Sequence, residues 1–147
     1  MTTVAYRDGV MAADSGSWIG DASHGWAVKL AKGKDGALHG VAGNAAECGA
    51  YLDWVRGGYE GDEPRAESLP DNASSFIALI VPPSGPLRLR TAKGVEVYEA
   101  PYFAIGAGSP TAYGALFAGA TAEQAIEAAK EHASGAFGQV RTIRHEE

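Results

Sequence analysis

The chain begins with a segment that can fold in few ways, because a strong turn signal separates a short run of β-forming residues from a short apolar run. The first run covers residues 2–6 (Thr-Thr-Val-Ala-Tyr) and the second covers residues 10–13 (Val-Met-Ala-Ala). Asp8-Gly9 between them is typical of tight β-hairpins, whose turn residues must adopt positive φ. Chain ends are usually mobile. The sequence therefore predicts a hairpin that starts at the terminus and holds it in a sheet.

The length of this turn decides which residue faces Asp14, which directly follows the second run. If residues 7–9 form a three-residue loop with Gly9 left-handed, Thr2 lies opposite Asp14 on the same face. If only Asp8-Gly9 turns, Thr3 lies opposite Asp14. A one-residue slip reverses the facing of every side chain, so the second register weakens the case for Thr2 beside Asp14.

Length and composition indicate one globular domain, residues 1–147, with 46% hydrophobic and 20% charged residues. The formal net charge of −6 and the lack of a dense Lys/Arg cluster argue against nucleic-acid binding. No stretch is long and apolar enough for a signal peptide or a membrane span. A single cysteine, Cys48, cannot form an internal disulfide. We expect a cytoplasmic protein that does not bind membranes.

Turn and capping signals divide the rest of the chain into strands and three helices. Helices are predicted from Asn44 with Glu47 in a capping box, from Ser109-Pro110 with Ser109 as N-cap, and from Thr121 with a second capping box. Strands are predicted over 27–32, 37–42, 75–81, 87–91, 95–99, 102–105 and 139–144, with irregular connections at 15–25 and 58–72. This order lacks βαβ alternation, so we expect an α+β fold in which segregated helices cover antiparallel sheets.

The terminus also carries the most informative candidate for chemistry. Met1 precedes the small residue Thr2, a context in which the initiator methionine is normally removed. Removal would leave Thr2 with a free α-amine beside its own hydroxyl. A threonine hydroxyl needs a base to become nucleophilic, and an α-amine with a pKa near 8 can act as that base when a nearby cation lowers its pKa. Such a site requires a lysine, a carboxylate and amide donors for an oxyanion.

Residues of these types are available along the chain. Asp14 ends the predicted hairpin, and Lys29 lies among apolar neighbours in a predicted strand. Gly43 lies at a predicted strand-to-helix corner, where its amide can stabilise an oxyanion. Each residue also has an ordinary explanation: Thr2 as a strand former, Asp14 as a turn residue and Lys29 as an edge lysine.

These residues lie in motifs that resemble those of proteasome β-type subunits and the bacterial proteasome-like peptidase HslV. Similar segments are Thr-Thr-Val followed by Gly-Val-Met-Ala-Ala-Asp at 9–14, Ala-Val-Lys-Leu at 27–30, and Gly-Val-Ala-Gly-Asn-Ala-Ala-Glu at 40–47. Two more are Ile-Gly-Ala-Gly-Ser-Pro-Thr-Ala-Tyr-Gly-Ala-Leu at 105–116 and Glu-His-Ala-Ser-Gly at 131–135. The motifs occur in the family's order and span nearly the whole chain.

The resemblance implies an N-terminal-nucleophile (Ntn) hydrolase with an αββα four-layer sandwich of two antiparallel sheets. It implies a threonine-type endopeptidase in which Thr2 is the nucleophile and Lys29 lowers the pKa of its amine. Asp14 would then orient Lys29, and the Gly43 N–H would stabilise the oxyanion. Glu131 and Ser134, in the last motif, would support the terminus.

The same resemblance implies a self-compartmentalised homo-oligomeric ring that takes polypeptide substrates and is compatible with an AAA+ unfoldase partner. No cofactor is required. The four histidines (His24, His39, His132 and His145) have no ligand spacing, so we also expect no metal site.

The departures from the family pattern favour an alternative function. Ala107 occupies the place of a serine hydroxyl near the nucleophile, Glu131 replaces an aspartate, and the helix expected within 58–72 is nearly absent. The alternative is a weakly active or inactive assembly or scaffold ring with the same fold. A small-molecule site at the Gly106 turn is a third hypothesis, although Thr111 stands where a dinucleotide fingerprint requires Gly or Ala. We expect Cys48 to be a packing residue.

Overall fold

A computed structural model describes residues 1–146 of the chain. The strands are β1 (Thr3–Arg7), β2 (Val10–Ala13), β3 (Ser17–Ile19), β4 (Ala22–His24), β5 (Leu30–Lys32), β6 (Leu38–Gly43), β7 (Phe76–Val81), β8 (Leu87–Thr91), β9 (Gly94–Tyr98), β10 (Tyr102–Gly106) and β11 (Arg141–Arg144). The helices are α1 (Ala45–Arg56), α2 (Ser109–Phe117) and α3 (Ala122–His132), with one turn of 3₁₀ helix at Pro70–Asn72.

The strands form two main antiparallel sheets and a separate small hairpin. One sheet has the order β10-β1-β2-β11, the other has the order β5-β6-β7-β8-β9, and β3 pairs only with β4. Helix α1 packs on the five-stranded sheet, and α2 and α3 pack on the four-stranded sheet. The predicted αββα four-layer sandwich is therefore confirmed.

The core lies between the layers, and residue size differs from one interface to the next. Large side chains fill the space between the two sheets, among them Val4, Met11, Leu38, Leu79 and Ile105. On its outer face the four-stranded sheet presents small residues, including Ala5, Ala12 and Ala104, to the buried side chains of α2 and α3. Small residues on a strand let a helix approach closely, so the alternation of size along β1 and β2 decides which face meets which layer.

The terminal hairpin closes with the shorter of the two predicted turns. Asp8 and Gly9 have φ values of 49° and 79°, as in a type I′ turn, whose twist matches that of the flanking strands. Val4 pairs with Ala13, which places Thr3 opposite Asp14. The three-residue loop that would put Thr2 opposite Asp14 does not occur.

The helix starts agree with the predicted caps in part. Asn44 accepts a hydrogen bond from the Glu47 N–H at 3.1 Å, but the Glu47 carboxylate accepts from Ser75 Oγ instead of reaching back to the cap. Helix α2 has Gly108 as its N-cap, so Ser109 is the first helical residue and not the cap. The capping box of Thr121 and Gln124 at α3 is complete.

Two connections differ from the prediction because local hydrogen bonds redirect the backbone. The strand predicted over 27–32 is paired only at Leu30–Lys32, since the Ala27 N–H donates to Ser15 O at 3.0 Å. The segment predicted as irregular at 15–25 contains the β3–β4 hairpin.

The last strand begins at Arg141 and not at Gln139. Among the described residues, no helix is long and apolar enough to cross a membrane.

Candidate active site

A buried ion pair lies beneath the chain terminus. Lys29 Nζ lies 3.0 Å from both carboxylate oxygens of Asp14, and the two residues are 7% and 0% exposed. Burial lowers the pKa of Lys29, and the Asp14 charge opposes that shift. Removing two charges from water is unfavourable unless they are paired and hydrogen-bonded. The pair therefore needs further partners.

Backbone amides from three segments supply those partners to Asp14. The Thr3 N–H donates to Oδ1 at 2.9 Å, and Oδ2 accepts from the Gly16 N–H at 3.2 Å and the Phe137 N–H at 3.1 Å. Asp14 thus joins β1, the connection after β2, and the loop after α3. Charge-assisted bonds of this kind are stronger than neutral ones and fix the orientation of a carboxylate.

Lys29 also contacts the first residue of the chain. Its Nζ donates to Met1 O at 3.0 Å. An amide nitrogen lies about 2.3 Å from the oxygen of its own peptide, so Lys29 Nζ lies within about 5 Å of the Thr2 nitrogen. Removal of Met1 would free that nitrogen as an amine beside the ammonium.

Thr2 is buried, and its backbone is held on the other side by the residue that follows β10. The Ala107 N–H donates to Thr2 O at 2.8 Å. Within residues 1–146 no hydrogen bond involves Thr2 Oγ1, which leaves the hydroxyl free to react.

Thr2 separates two cavities that both reach Gly43. A cavity of about 390 Å³ extends beneath α1 and is lined by Lys29 together with Val28, Val41 and Cys48, among others. A more open cavity of about 320 Å³ lies on the other side, against Ala42, Ser74, Ile77 and Ala107. A further cavity, of about 680 Å³, is formed mainly by residues 81–87 and 99–101 and is lined by none of the predicted site residues.

The Gly43 N–H points toward the lysine side of the site. Asn44 N donates to Ser75 O at 2.9 Å, and Val41 N donates to Lys29 O at 3.1 Å. Amides of successive residues in a strand point in opposite directions, so the Gly43 N–H points away from β7 and toward the edge where Lys29 lies. Gly43 has φ of +133°, and a Cβ there would overlap the Ser75 and Phe76 backbone. Only glycine fits this corner.

The structure brings four of the six predicted site residues together. Thr2, Lys29 and Gly43 line the 390 Å³ cavity, and Asp14 binds Lys29. Glu131 and Ser134 have exposed side chains and make no hydrogen bond to the terminal segment within residues 1–146. Their roles stay predictions.

Sequence reasoning overlooked two backbone groups near the far end of the chain, one that contacts the ion pair and one that contacts Thr3. The Phe137 N–H binds Asp14 directly, and Gly135 O accepts a hydrogen bond from Thr3 Oγ1 at 2.9 Å. The Ser-Gly motif at 134–135 marked the correct loop. The contacting groups are backbone atoms, which residue type does not reveal. Cys48 lines the cavity half-buried, and burial raises the pKa of its thiol to about 11, so it is not a thiolate at neutral pH.

Comparisons with known proteins find similarity in structure only. No protein-family model matches the sequence, and a search of curated proteins finds no significant match. The structure of Thiobacillus denitrificans BPH in complex with epoxomicin has a TM-score of 0.67 and 19% identity, with 99% of each chain covered. BPH alone has a TM-score of 0.64 and 19% identity, with 99% of this chain and 98% of the other covered.

A eukaryotic HslV from Trypanosoma brucei is similarly close, with a TM-score of 0.65 and 17% identity over 99% of this chain and all of the other. At such identities the likeness establishes the fold and not the activity. The chain therefore shares its αββα fold with these structures.

Proposed function

We propose that this protein is a threonine-type endopeptidase whose nucleophile is Thr2 after removal of Met1. The observation that carries the proposal is the buried Asp14–Lys29 pair, whose ammonium binds Met1 O beside the Thr2 nitrogen. A buried charge pair is rarely the most stable way to fill a core. Here it lies beside Thr2, which borders both cavities.

In the proposed reaction, Thr2 Oγ1 attacks the carbonyl carbon of a peptide bond and gives its proton to the Thr2 α-amine. Lys29 keeps that amine largely unprotonated beforehand, because a second positive charge close by is unfavourable. The Gly43 N–H donates to the oxyanion of the tetrahedral intermediate. The C–N bond then breaks, the leaving amine takes the proton from the α-ammonium, and an ester on Thr2 remains.

Water completes the cycle. The free α-amine accepts a proton from the attacking water, and the ester carbon passes through a second oxyanion beside Gly43. Collapse releases the carboxylic acid and returns the proton to Thr2 Oγ1. No bond is formed or broken at Lys29 or Asp14, whose role is electrostatic.

Glu131 and Ser134 belong to the proposed site through their place in the chain. Gly135, which follows Ser134, accepts a hydrogen bond from Thr3, so this loop lies against the terminal dipeptide. A freed α-amine would need acceptors on that side. We propose that these two side chains supply them.

The proposal extends to assembly and partners. By resemblance to HslV, the chain would form a homo-oligomeric ring in the cytoplasm that takes unfolded polypeptides, with an AAA+ unfoldase as its partner. Support comes from the shared fold. The competing proposal, an inactive scaffold ring, is favoured by one observation: Ala107 brings no hydroxyl to the cavity beside Thr2.

A covalent probe tests the proposed chemistry. Epoxomicin, bound in the structure of the Thiobacillus denitrificans protein, is incubated with the processed protein, and the adduct is located by peptide mass spectrometry. We expect an adduct on Thr2, its loss in Thr2→Ala and its retention in Thr2→Ser, with cleavage of fluorogenic peptides following the same order.

All three proteins carry a small residue after Met1, so all should be processed alike. A processed, assembled protein that neither labels nor cleaves would support the scaffold. A Met1 that persists in the purified protein would exclude the mechanism, because the amine would remain acylated.

A further inference from the structure

Thr3 is a fully buried polar residue whose hydroxyl has both of its hydrogen-bonding roles filled. Its Oγ1 donates to Gly135 O at 2.9 Å and accepts from the Gly108 N–H at 3.0 Å. These two bonds join β1 to Gly108 and Gly135, which lie 105 and 132 positions further along the chain. Thr3 Oγ1 cannot act as a nucleophile without breaking them.

The surrounding backbone is shaped to receive this hydroxyl. A Cβ on Gly108 would overlap Thr3 Oγ1, and a Cβ on Gly135 would overlap Ala107 and the Gly108 nitrogen. The loop before α2 thus approaches the terminal strand, and the loop after α3 approaches the loop before α2, more closely than side chains would allow. The hydroxyl satisfies a buried donor and a buried acceptor at their meeting point.

Thr3 acts on the ion pair by two routes. Its N–H donates to Asp14 Oδ1, one of the two oxygens that bind Lys29 Nζ. Its hydroxyl holds Gly135, two residues before Phe137, whose N–H donates to Asp14 Oδ2. The amide therefore fixes one carboxylate oxygen directly, and the hydroxyl fixes the other through the loop.

We propose that Thr3 is the positioning residue of this site: its hydroxyl holds the 135–137 loop on Asp14 and thereby holds the Lys29 ammonium beside Thr2. The inference rests on the proposed function for its effect on catalysis, since Thr3 touches no reacting atom. Its effect on the geometry of Lys29 is independent of catalysis.

The test compares Thr3→Val, which keeps the branched shape and the amide, with Thr3→Ser, which keeps the hydroxyl. Thr142→Val is the matched control, because Thr142 lies in the same sheet and makes no side-chain hydrogen bond within residues 1–146. We expect Thr3→Val to lower kcat at least 10-fold with KM within 2-fold of wild type, and to shift the acidic limb of the pH–rate profile. Thr3→Ser should retain kcat within 3-fold, and Thr142→Val should match wild type.

A second measurement separates failure of this inference from failure of the proposed function. The Lys29 side-chain amine is titrated by NMR in folded, processed wild type and in each variant. We expect Thr3→Val alone to lower the pKa of Lys29, because a loosened carboxylate stabilises the ammonium less. A folded Thr3→Val with an unchanged Lys29 titration would overturn the inference, whether or not the wild type is active. A shifted titration in an inactive wild type would uphold it and reject only the peptidase.

Discussion

Two buried polar clusters lie beside β5 and β6 of the five-stranded sheet. One contains a charged pair, and the other contains uncharged side chains. Around Asp14 and Lys29, two full charges are buried beside a cavity and contact the chain terminus. Around His39, three uncharged side chains (His39, Tyr51 and Tyr59) form a hydrogen-bonded chain under α1 that ends on the exposed Asp35 carboxylate. None of the three lines the cavities beside Thr2.

The hydrogen bond of Tyr59 to Asp35 decides which atoms donate and which accept in the His39 cluster. Tyr59 O–H donates to Asp35 Oδ1 at 2.8 Å, so the Tyr59 oxygen accepts from His39 Nε2–H. His39 Nδ1 then accepts from the Tyr51 O–H at 2.9 Å. His39 is uncharged in this arrangement, and burial lowers its pKa to about 4.

The two clusters differ in whether charged side chains are buried in the core. Neutral hydrogen bonds are sufficient to join β6, α1 and the turn at Tyr59. A buried ammonium and carboxylate contribute little stability beyond what apolar residues would give, yet they occur together at the proposed site. Under the proposed function the charges at Asp14 and Lys29 serve the chemistry, whereas the His39 cluster serves only the packing of the fold.

The largest expected effect comes from breaking the charged cluster. Lys29→Met has similar size and leaves Asp14 buried without its counter-ion, which typically destabilises a protein by about 3–5 kcal/mol. Peptidase activity and Thr2 labelling should fall at least 100-fold. Urea denaturation and probe labelling measure the two effects. Lys32→Met is the control, because Lys32 lies three residues further along the chain, in β5, and its Nζ binds only His145 O in the residues described. A similar loss there would contradict the special status of Lys29.

Most residues of this charged cluster were predictable from sequence. The strand register of the terminal hairpin, which decides whether Thr2 or Thr3 lies opposite Asp14, was not. Residue type and spacing singled out Lys29, among apolar neighbours, and Gly43, before a capped helix, as candidates, and the structure places both beside Thr2. The choice between Thr2 and Thr3 opposite Asp14 depended on one turn residue. Asp8-Gly9 allowed both loop lengths, and only the pairing of the assembled sheet selected one.

The neutral cluster and the small hairpin were not predicted, for a different reason. His39, Tyr51 and Tyr59 are separated by 12 and 8 positions, and their association depends on how α1 packs on the sheet. The hairpin at Ser17–His24 has exposed apolar residues, and Trp18 and Ile19 are 51% and 73% exposed. Its strands lack the alternation of a half-buried strand, so periodicity gave no signal.

The second expected effect is a pH dependence of stability that belongs to the neutral cluster. The pKa of His39 is about 4 in the folded protein, below its ordinary value of 6.5. The unfolded chain therefore binds more protons between these values, and folding is favoured less as pH falls. The His39 contribution is complete above pH 6.5 and is lost on acidification toward pH 4, by about 3 kcal/mol in all. Denaturation midpoints measured from pH 7 to pH 4 should show this slope.

The third expected effect is smaller and separates stability from chemistry. His39→Phe fills a similar volume and leaves the buried Tyr51 hydroxyl without its acceptor, which should destabilise the fold by about 1–3 kcal/mol. The acidic slope described above should diminish. Thr2 labelling per folded molecule should equal that of wild type. A large loss of labelling in folded His39→Phe would show that the two clusters are coupled and would invalidate the division between them.

The smallest expected effect concerns an ion pair that is open to solvent and borders neither cavity beside Thr2. Lys130 Nζ lies 3.7 Å from Glu127 Oε1 on α3, and the Glu127 side chain is 59% exposed. Solvent screens such a pair, and ordering two long side chains offsets most of the attraction, so Glu127→Gln should change the free energy of unfolding by less than about 0.5 kcal/mol. Urea denaturation at low and high salt measures this contribution beside that of Lys29→Met. A loss above about 1 kcal/mol would mean that charge stabilises this fold independently of burial, and the contrast between Asp14–Lys29 and the rest of the molecule would then need another cause.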